Sequence, residues 1–353
     1  MPMKEQFHFQ WHITNLCNLR CHHCYQEDFS KHNDLDEIGL KKISDNILST
    51  LKEWGRTAVI HLTGGEPLLK GELFPLLGHL DEKPIVEELG IITNGLLFDR
   101  EGVKRLSAFS KLKKIKISLD GASAEMNDSI RSQGSFEKVM KNLSLIKKEG
   151  RFELILMFTV MRRNFKSLLS LLELCQNLDV DGLIIERFIP WGRGREMMEE
   201  VLDQDRWKEM VETLFDFFSM GMENNDAFPY QAFQVSFNRG EQDLSGAPCV
   251  IGVDGLCIMP EGSVLPCRRL PITIGNLLED SLKTIWEKSE ILEKLRKKEN
   301  LKGKCGRCMI KDCRGCRSLA LCLAGDYLEE DPHCWYDLRQ LRRSPCHISK
   351  MEL

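Results

Sequence analysis

The chain has 353 residues, 42% hydrophobic and 29% charged, with a formal net charge of −4 and 14 cysteines. It is longer than the roughly 250–300 residues at which one core usually stops growing, so two domains are expected, and its charge gives no reason to expect a nucleic-acid partner. The start, MPMKEQFHFQWH, lacks the apolar core of a secretory signal, and no run reaches the roughly 18 apolar residues of a membrane span. A cytoplasmic location follows as the expectation, with thiols kept reduced for metal rather than paired in disulfides.

In chain order, apolar Phe7, Phe9, Trp11 and Ile13 alternate with His8, Gln10 and His12, the period of a strand. Next comes Cys17-Asn-Leu-Arg-Cys21-His-His-Cys24-Tyr25. Three thiolates on one short loop suit either a zinc ion, with His22 or His23 as the fourth ligand, or a [4Fe–4S] cluster with one iron left open. Asp36 is positioned to cap a helix whose one face carries Leu40, Ile43, Ile47, Leu51 and Trp54. Residues 57–62 read as a strand running into Thr63-Gly64-Gly65-Glu66-Pro67, and 89–92 as a strand ending in Thr93-Asn94-Gly95.

A helix is expected from Asp99, then a strand over 114–119 ending at Ser118-Leu119-Asp120-Gly121, a helix over 135–149 and a strand over 153–160. Helix 164–177, strand 182–188 and an amphipathic helix over 203–222 complete the rhythm. Strands alternating with helices imply right-handed βαβ units and a parallel sheet of six strands, either an open doubly wound sheet or an incomplete barrel. In both, ligands bind at the carboxyl ends of the strands. That rule gathers the cysteine loop, Gly64, Gly65, Glu66, Asn94, Ser118 and Asp120 at one mouth.

The loop Pro190-Trp-Gly-Arg-Gly-Arg195 joins them there as a candidate lid. Two adjacent glycines allow close approach of a ligand to exposed amides, or simply a tight turn. Arg131, in the connection after the fourth strand, suits a carboxylate clamp or a surface pair with Asp128. If the first strand lines a barrel, His8, Gln10 and His12 face its lumen while Phe7, Phe9 and Trp11 pack on helices, with Lys114, Lys116 and His61 as further lumen candidates.

Taken together, C-x3-C-x2-C with a following aromatic, then Gly-Gly-Glu-Pro, Thr-Asn-Gly, Ser-Leu-Asp-Gly and Asp-x-x-Arg-x-x-Gly in that order, resemble the radical S-adenosylmethionine (SAM) enzymes over residues 7–200. The resemblance implies a partial (β/α)6 TIM barrel in which Cys17, Cys21 and Cys24 hold a [4Fe–4S] cluster whose open iron binds SAM. It would place Gly64, Gly65 and Glu66 against the methionine amino group and Ser118 and Arg131 near its carboxylate. Asn94 and Asp120 would help to place the ribose or the substrate. His22 and His23 are then polar neighbours of the loop rather than ligands.

Ten cysteines lie between Cys249 and Cys346, which predicts a boundary near residue 240 and divides the chain into 1–240 and 241–353. Cys305-x2-Cys308-x4-Cys313-x2-Cys316 is compatible with a zinc ribbon, while eight or more thiols suffice for two [4Fe–4S] clusters. With Gly262 before Cys267, Cys313-Arg-Gly-Cys316-Arg, Gly325-Asp326 and Asp331-Pro-His-Cys334, residues 245–340 resemble the cysteine-rich SPASM/twitch extension of radical SAM enzymes. By that pattern Cys249, Cys257, Cys267 and Cys316 hold one auxiliary cluster and Cys305, Cys308, Cys313 and Cys334 the other. The spacings 308–313 and 313–316 are each one residue shorter than in many members, which leaves Cys322 as an alternative ligand. Cys175 reads as a buried apolar residue, Cys346 as an exposed thiol, and 288–302 as a solvated charged helix.

Resemblance further implies an enzyme that splits SAM to a 5′-deoxyadenosyl radical and takes hydrogen from a substrate, with a flavodoxin- or ferredoxin-type electron donor. The favoured substrate is a ribosomal precursor peptide, receiving a thioether, a carbon–carbon crosslink or an inverted stereocentre. Only 16 residues precede Cys17, so leader recognition would fall to a separate protein or to direct docking of the peptide. A tetrapyrrole or other cofactor precursor is the alternative, and an iron–sulfur carrier or zinc scaffold without radical chemistry a third.

Overall fold

The computed structural model describes residues 5–219, 230–238, 241–310 and 313–336. The βα rhythm runs β1 (Gln6–His12), α1 (Glu37–Trp54), β2 (Thr57–Thr63), α2 (Leu73–Asp81), β3 (Val86–Thr93), α3 (Arg100–Ser107), β4 (Leu112–Ser118), α4 (Ala124–Ile130), α5 (Ser135–Glu149), β5 (Glu153–Val160), α6 (Leu168–Leu178), β6 (Gly182–Arg187) and α7 (Gln204–Phe217). Strands β1 to β6 lie side by side in sequence order, all parallel. One face of this sheet is apolar and covered by the helices: Phe7, Phe9, Trp11, Ile60, Leu62, Ile115 and Ile117 share it by register and are all fully or nearly fully buried.

Helix α1 shows the local logic. The Asp36 side chain accepts from Gly39 N, Leu40, Ile43, Ile47 and Leu51 are buried, and Gly55 at φ 64° closes the end. Two helices exceed the expectation: α2, whose Leu-Phe-Pro-Leu-Leu start hides its periodicity, and α4, capped by Ser123, which carries Arg131 at its end. Helix α7 ends at Phe217, with Phe218 and Ser219 in a turn, and residues 220–222 of the expected helix lie outside the described residues.

Beyond residue 229 the same sheet continues at both edges. An antiparallel hairpin, β7 (Tyr230–Asn238) and β8 (Glu241–Pro248), pairs on β6. On the other side β9 (Gly255–Ile258) pairs parallel with β1, followed by β10 (Ser263–Leu265) and β11 (Gly275–Asn276). The result is an open eleven-stranded sheet, a partial barrel-like α/β core carrying the cysteine-rich C-terminal region.

Residue 240 falls between the two strands of the hairpin, so strand pairing crosses that position on both flanks. Helix α8 (Leu282–Lys288) packs Trp286 edge-on to Phe7 with ring centres 5.0 Å apart, and Asn46 of α1 donates to Leu277 O and Asp280 O. The charged stretch 288–302 is not one solvated helix. It contains the short helix α9 (Glu290–Arg296), whose Leu292 and Leu295 are buried, and a single 3-10 turn.

Candidate active site

The carboxyl ends of β1 to β6 open on one cleft of about 1050 Å³, counted out to its mouth. Cys17, Cys21 and Cys24 line it with Gly64, Gly65, Asn94, Ser118 and Arg131, so seven strand-end positions and α4 converge as the topology requires. The glycines are needed for a backbone contact within the protein. Gly65 N and Glu66 N donate to Thr14 O and Leu16 O at 2.8 Å, and a Cβ at Gly64 or Gly65 would sit 2.3 Å from Thr14 O or 2.4 Å from Leu16 O. The turn after β2 is therefore laid directly on the segment that leads into the cysteine loop.

Two of the expected site residues, Glu66 and Asp120, are not among the residues that line the cleft. The Glu66 side chain is fully buried and does not line the cleft. Its oxygens accept from Thr93 Oγ1 at 2.8 and 2.9 Å, from Asn94 N at 2.8 Å and from Leu68 N at 3.1 Å, tying the turn after β2 to the end of β3. Burial raises this carboxyl to about 7 despite those donors. Asp120 is likewise enclosed behind the wall. It holds Arg131 Nε at 2.7 Å and His23 Nε2 at 3.2 Å, and accepts from Thr159 N at 2.9 Å. Asp120 thus orients Arg131, and His23 belongs to that network, its pKa lowered by burial to about 4.

Asn94 does face the cleft, its Nδ2 donating to Asn18 Oδ1 at 2.8 Å and lying 3.9 Å from Cys17 Sγ. The 190–195 segment is not a free lid. Its residues from Gly192 begin a 3-10 helix whose Gly194 N donates to Cys24 O at 3.0 Å, and Gly192, at φ 59°, is pressed so close that a Cβ would lie 2.4 Å from the Tyr25 backbone. It clamps the cysteine loop in place.

Of the lumen candidates on β1, Gln10 lines the cleft, while His12 is fully buried beside Tyr25 and Arg268. His61, Lys114 and Lys116 lie deeper. His61 Nε2 is 3.6 Å and Lys114 Nζ 3.1 Å from Glu88, and Gly90 leaves room for the imidazole, since a Cβ there would fall 2.2 Å from His61 Cδ2. Burial first, and Lys116 next, lower the His61 pKa to about 4. An unfolded chain binds a proton at His61 near its ordinary value of about 6.5, which the folded chain refuses until about 4, so this residue makes acid favour unfolding across that window. His61→Gln is expected to flatten the fall of urea midpoint between pH 6.5 and 4 relative to the parent protein.

The three loop thiols are raised chiefly by burial, Cys21 to about 12, with the charge of Cys24 adding to it at Cys17 and Cys21. Such a set ionises readily only when a cationic centre takes up the charge, which fits a cluster held at these residues. A second cavity is lined by Cys305, Cys308, Cys313 and Cys334 with Arg187, Asp331 and His333. Cys267 and Cys316 both raise the pKa of Cys249, and Cys267 raises those of Cys257 and Cys316, so these four also neighbour each other. Both sets match the donor chemistry of iron–sulfur clusters. Gly315, at φ 62°, separates them, a Cβ there lying 3.2 Å from Cys305 Sγ and 2.7 Å from Asp331 Cβ.

Cys322 Sγ contacts Pro190 O at 3.5 Å, and Cys175 is buried in the main core. Cys346 lies outside the described residues.

Sequence reasoning passed over the arginines of the cleft. Arg187, Arg268 and Arg269 line it with Arg131, and their signals were Arg187 at the end of a strand and the Arg-Arg pair after Cys267. Arg187 joins the two cavities. Its Nη1 meets both oxygens of Asp331, at 3.0 and 2.8 Å, both side chains being almost wholly buried. Asp331 in turn accepts from Cys316 N at 2.8 Å and from His333 N at 2.9 Å, and its own N–H donates to Cys305 Sγ at 3.3 Å. Burial opposes its ionisation, yet Arg187 and these donors hold the carboxyl at about 2.

Residues 11–175 match the radical SAM superfamily, and 249–309 match SPASM, an iron–sulfur cluster-binding domain. An AdoMet-dependent heme synthase of Methanosarcina barkeri is 30% identical over 347 residues, covering 92% of this chain and 95% of that protein. The mycofactocin maturase MftC of Mycolicibacterium smegmatis is 28% identical, covering 92% and 81%. Among solved structures, native anSMEcpe with bound AdoMet and the Cp18Cys peptide superposes with a TM-score of 0.70 at 20% identity, covering 93% of this chain and 94% of that one, a likeness of fold. SAM, a [4Fe–4S] cluster and auxiliary iron–sulfur clusters are accordingly its cofactors, and the chain is an enzyme of the radical SAM superfamily with a C-terminal SPASM domain.

Proposed function

We propose that this enzyme modifies a carboxylate-bearing tetrapyrrole. The observation that carries the reading is the 30% identity, across nearly the whole of both chains, to a protein named as a heme synthase. A cleft of about 1050 Å³ with four arginines on its wall suits a large, multiply charged acid. When bound at Cys17, Cys21 and Cys24, a [4Fe–4S] cluster supplies the electron that splits SAM into methionine and a 5′-deoxyadenosyl radical.

The chain's own contribution is placement. Gly64 and Gly65 would present backbone to the methionine amino group, Ser118 and Arg131 would take its carboxylate, and Asp120 holds Arg131 in that direction. Asn94 steadies the cysteine loop. The remaining cysteines would hold two auxiliary clusters, partitioned as Cys249, Cys257, Cys267, Cys316 and Cys305, Cys308, Cys313, Cys334. The division at residue 240 then separates the SAM-cleaving half from the auxiliary half by chemistry rather than by strand pairing. A flavodoxin- or ferredoxin-type protein would supply electrons. Among the described residues no helix is long and apolar enough to cross a membrane.

The second reading, a precursor peptide with a separate leader-binding protein, is favoured by the likeness to a maturase. Anaerobically reconstituted protein, carrying about twelve irons, should be incubated with SAM, dithionite and Fe-coproporphyrin III. A changed tetrapyrrole mass together with 5′-deoxyadenosine is the expected result. An unchanged tetrapyrrole beside a modified co-expressed peptide would transfer the assignment to the second reading, and stoichiometric zinc without iron would defeat both.

A further inference from the structure

Four guanidinium groups line the cleft, and three have a carboxylate of their own. Arg131 pairs with Asp120, Arg187 with Asp331 and Arg269 with Glu186. Arg268 has none among the described residues. It is 8% exposed, its guanidinium lies 3.9 Å above the Tyr25 ring, and its Nε donates to Nδ1 of His12 at 3.4 Å. His12 is fully buried and kept neutral, by burial first and by Arg268 second, so it offers a lone pair but no charge. A buried cation with a ring face and an imidazole beside it, and no carboxylate partner among the described residues, is left short of a counter-ion.

We infer that Arg268 binds a carboxylate of the substrate. The position suits that role, since Arg268 acts electrostatically on both Cys24 and Cys257 and so stands between the cysteine loop of the barrel and the first cysteines of the SPASM region. A carboxylate held there anchors one end of the substrate where the mouth of the barrel meets the C-terminal region. Tyr25 and His12 fix the guanidinium plane, leaving its outer edge for a bidentate contact. The competing account is that Arg268 only offsets thiolate charge at the neighbouring cysteines.

The choice of probe rests on the tetrapyrrole reading. Reconstituted wild-type, Arg268→Gln and Arg268→Lys proteins are titrated with Fe-coproporphyrin III and with its uncharged carboxamide counterpart, by the Soret shift, and the cluster midpoint potentials are measured alongside. Wild-type protein should prefer the acid. Arg268→Gln should bind the acid roughly thirtyfold more weakly and lose the preference, and Arg268→Lys should recover part of it. Equal binding of acid and amide by wild-type protein, or an undiminished preference in Arg268→Gln, overturns the assignment while leaving the tetrapyrrole reading intact. A change confined to the midpoint potentials overturns it in favour of charge compensation at the cysteines. If wild-type protein binds neither probe, the tetrapyrrole reading falls and this assignment with it.

Discussion

Cys17→Ala protein is expected to produce no methionine or 5′-deoxyadenosine above background when given SAM and dithionite, and to lose about four irons. The three thiols of that loop line the cleft, and among the described residues no other cysteine does. Removing one leaves two ligands for a centre that already lacks a fourth, and His23 is committed to Asp120. Cys334→Ala makes the informative contrast. It strips a thiol from the second cavity, away from the cysteine loop, so reductive SAM cleavage should persist in part while substrate turnover stops. Equal loss of both activities would mean that the second cavity chiefly holds the fold together. Iron content and deoxyadenosine yield, measured by chromatography, decide it.

Asp331→Ala should be the most destabilising single change in the C-terminal region, lowering stability by about 3–5 kcal/mol, because it removes the counter-charge of a buried guanidinium. Arg187 would keep its stacking on Trp207, 4.4 Å from the ring centre, but lose its counter-charge. The N–H groups of Cys316 and His333 would lose their acceptor as well. Asp331→Asn retains acceptor oxygen without charge and should fall between the two. Denaturation midpoints of the three proteins, taken without added metal, check the order, and the loss should exceed that of an exposed pair such as Lys297–Glu293.

The barrel half was legible because its signals are local. Alternation marks β1, caps mark α1 and α3, and each strand ends in a turn whose residue types are unusual. Where burial rather than type decides the role, the sequence misleads. Glu66 and Asp120 share motifs with residues that face the cleft, yet one braces two turns and the other aims Arg131, and only the packing of β3 and α4 reveals it. Strands β9, β10 and β11 are four, three and two residues long, too short for any period to register, and their partner β1 is remote in the chain. The arginines escaped notice for a similar reason: Arg187 and Arg268 converge only through the pairing of opposite ends of the molecule.

That pairing also bears on how the protein is made. His8 of β1 lies opposite Gly255 of β9, so one edge of the first strand waits for a segment that leaves the ribosome only after more than two thirds of the chain has been synthesised. Until then a strand bearing Phe7, Phe9 and Trp11 presents an open hydrogen-bonding edge, the kind of surface that recruits other chains. Truncation before β9 would therefore yield a barrel half prone to self-association, and slow, cool expression should favour recovery of the full-length protein.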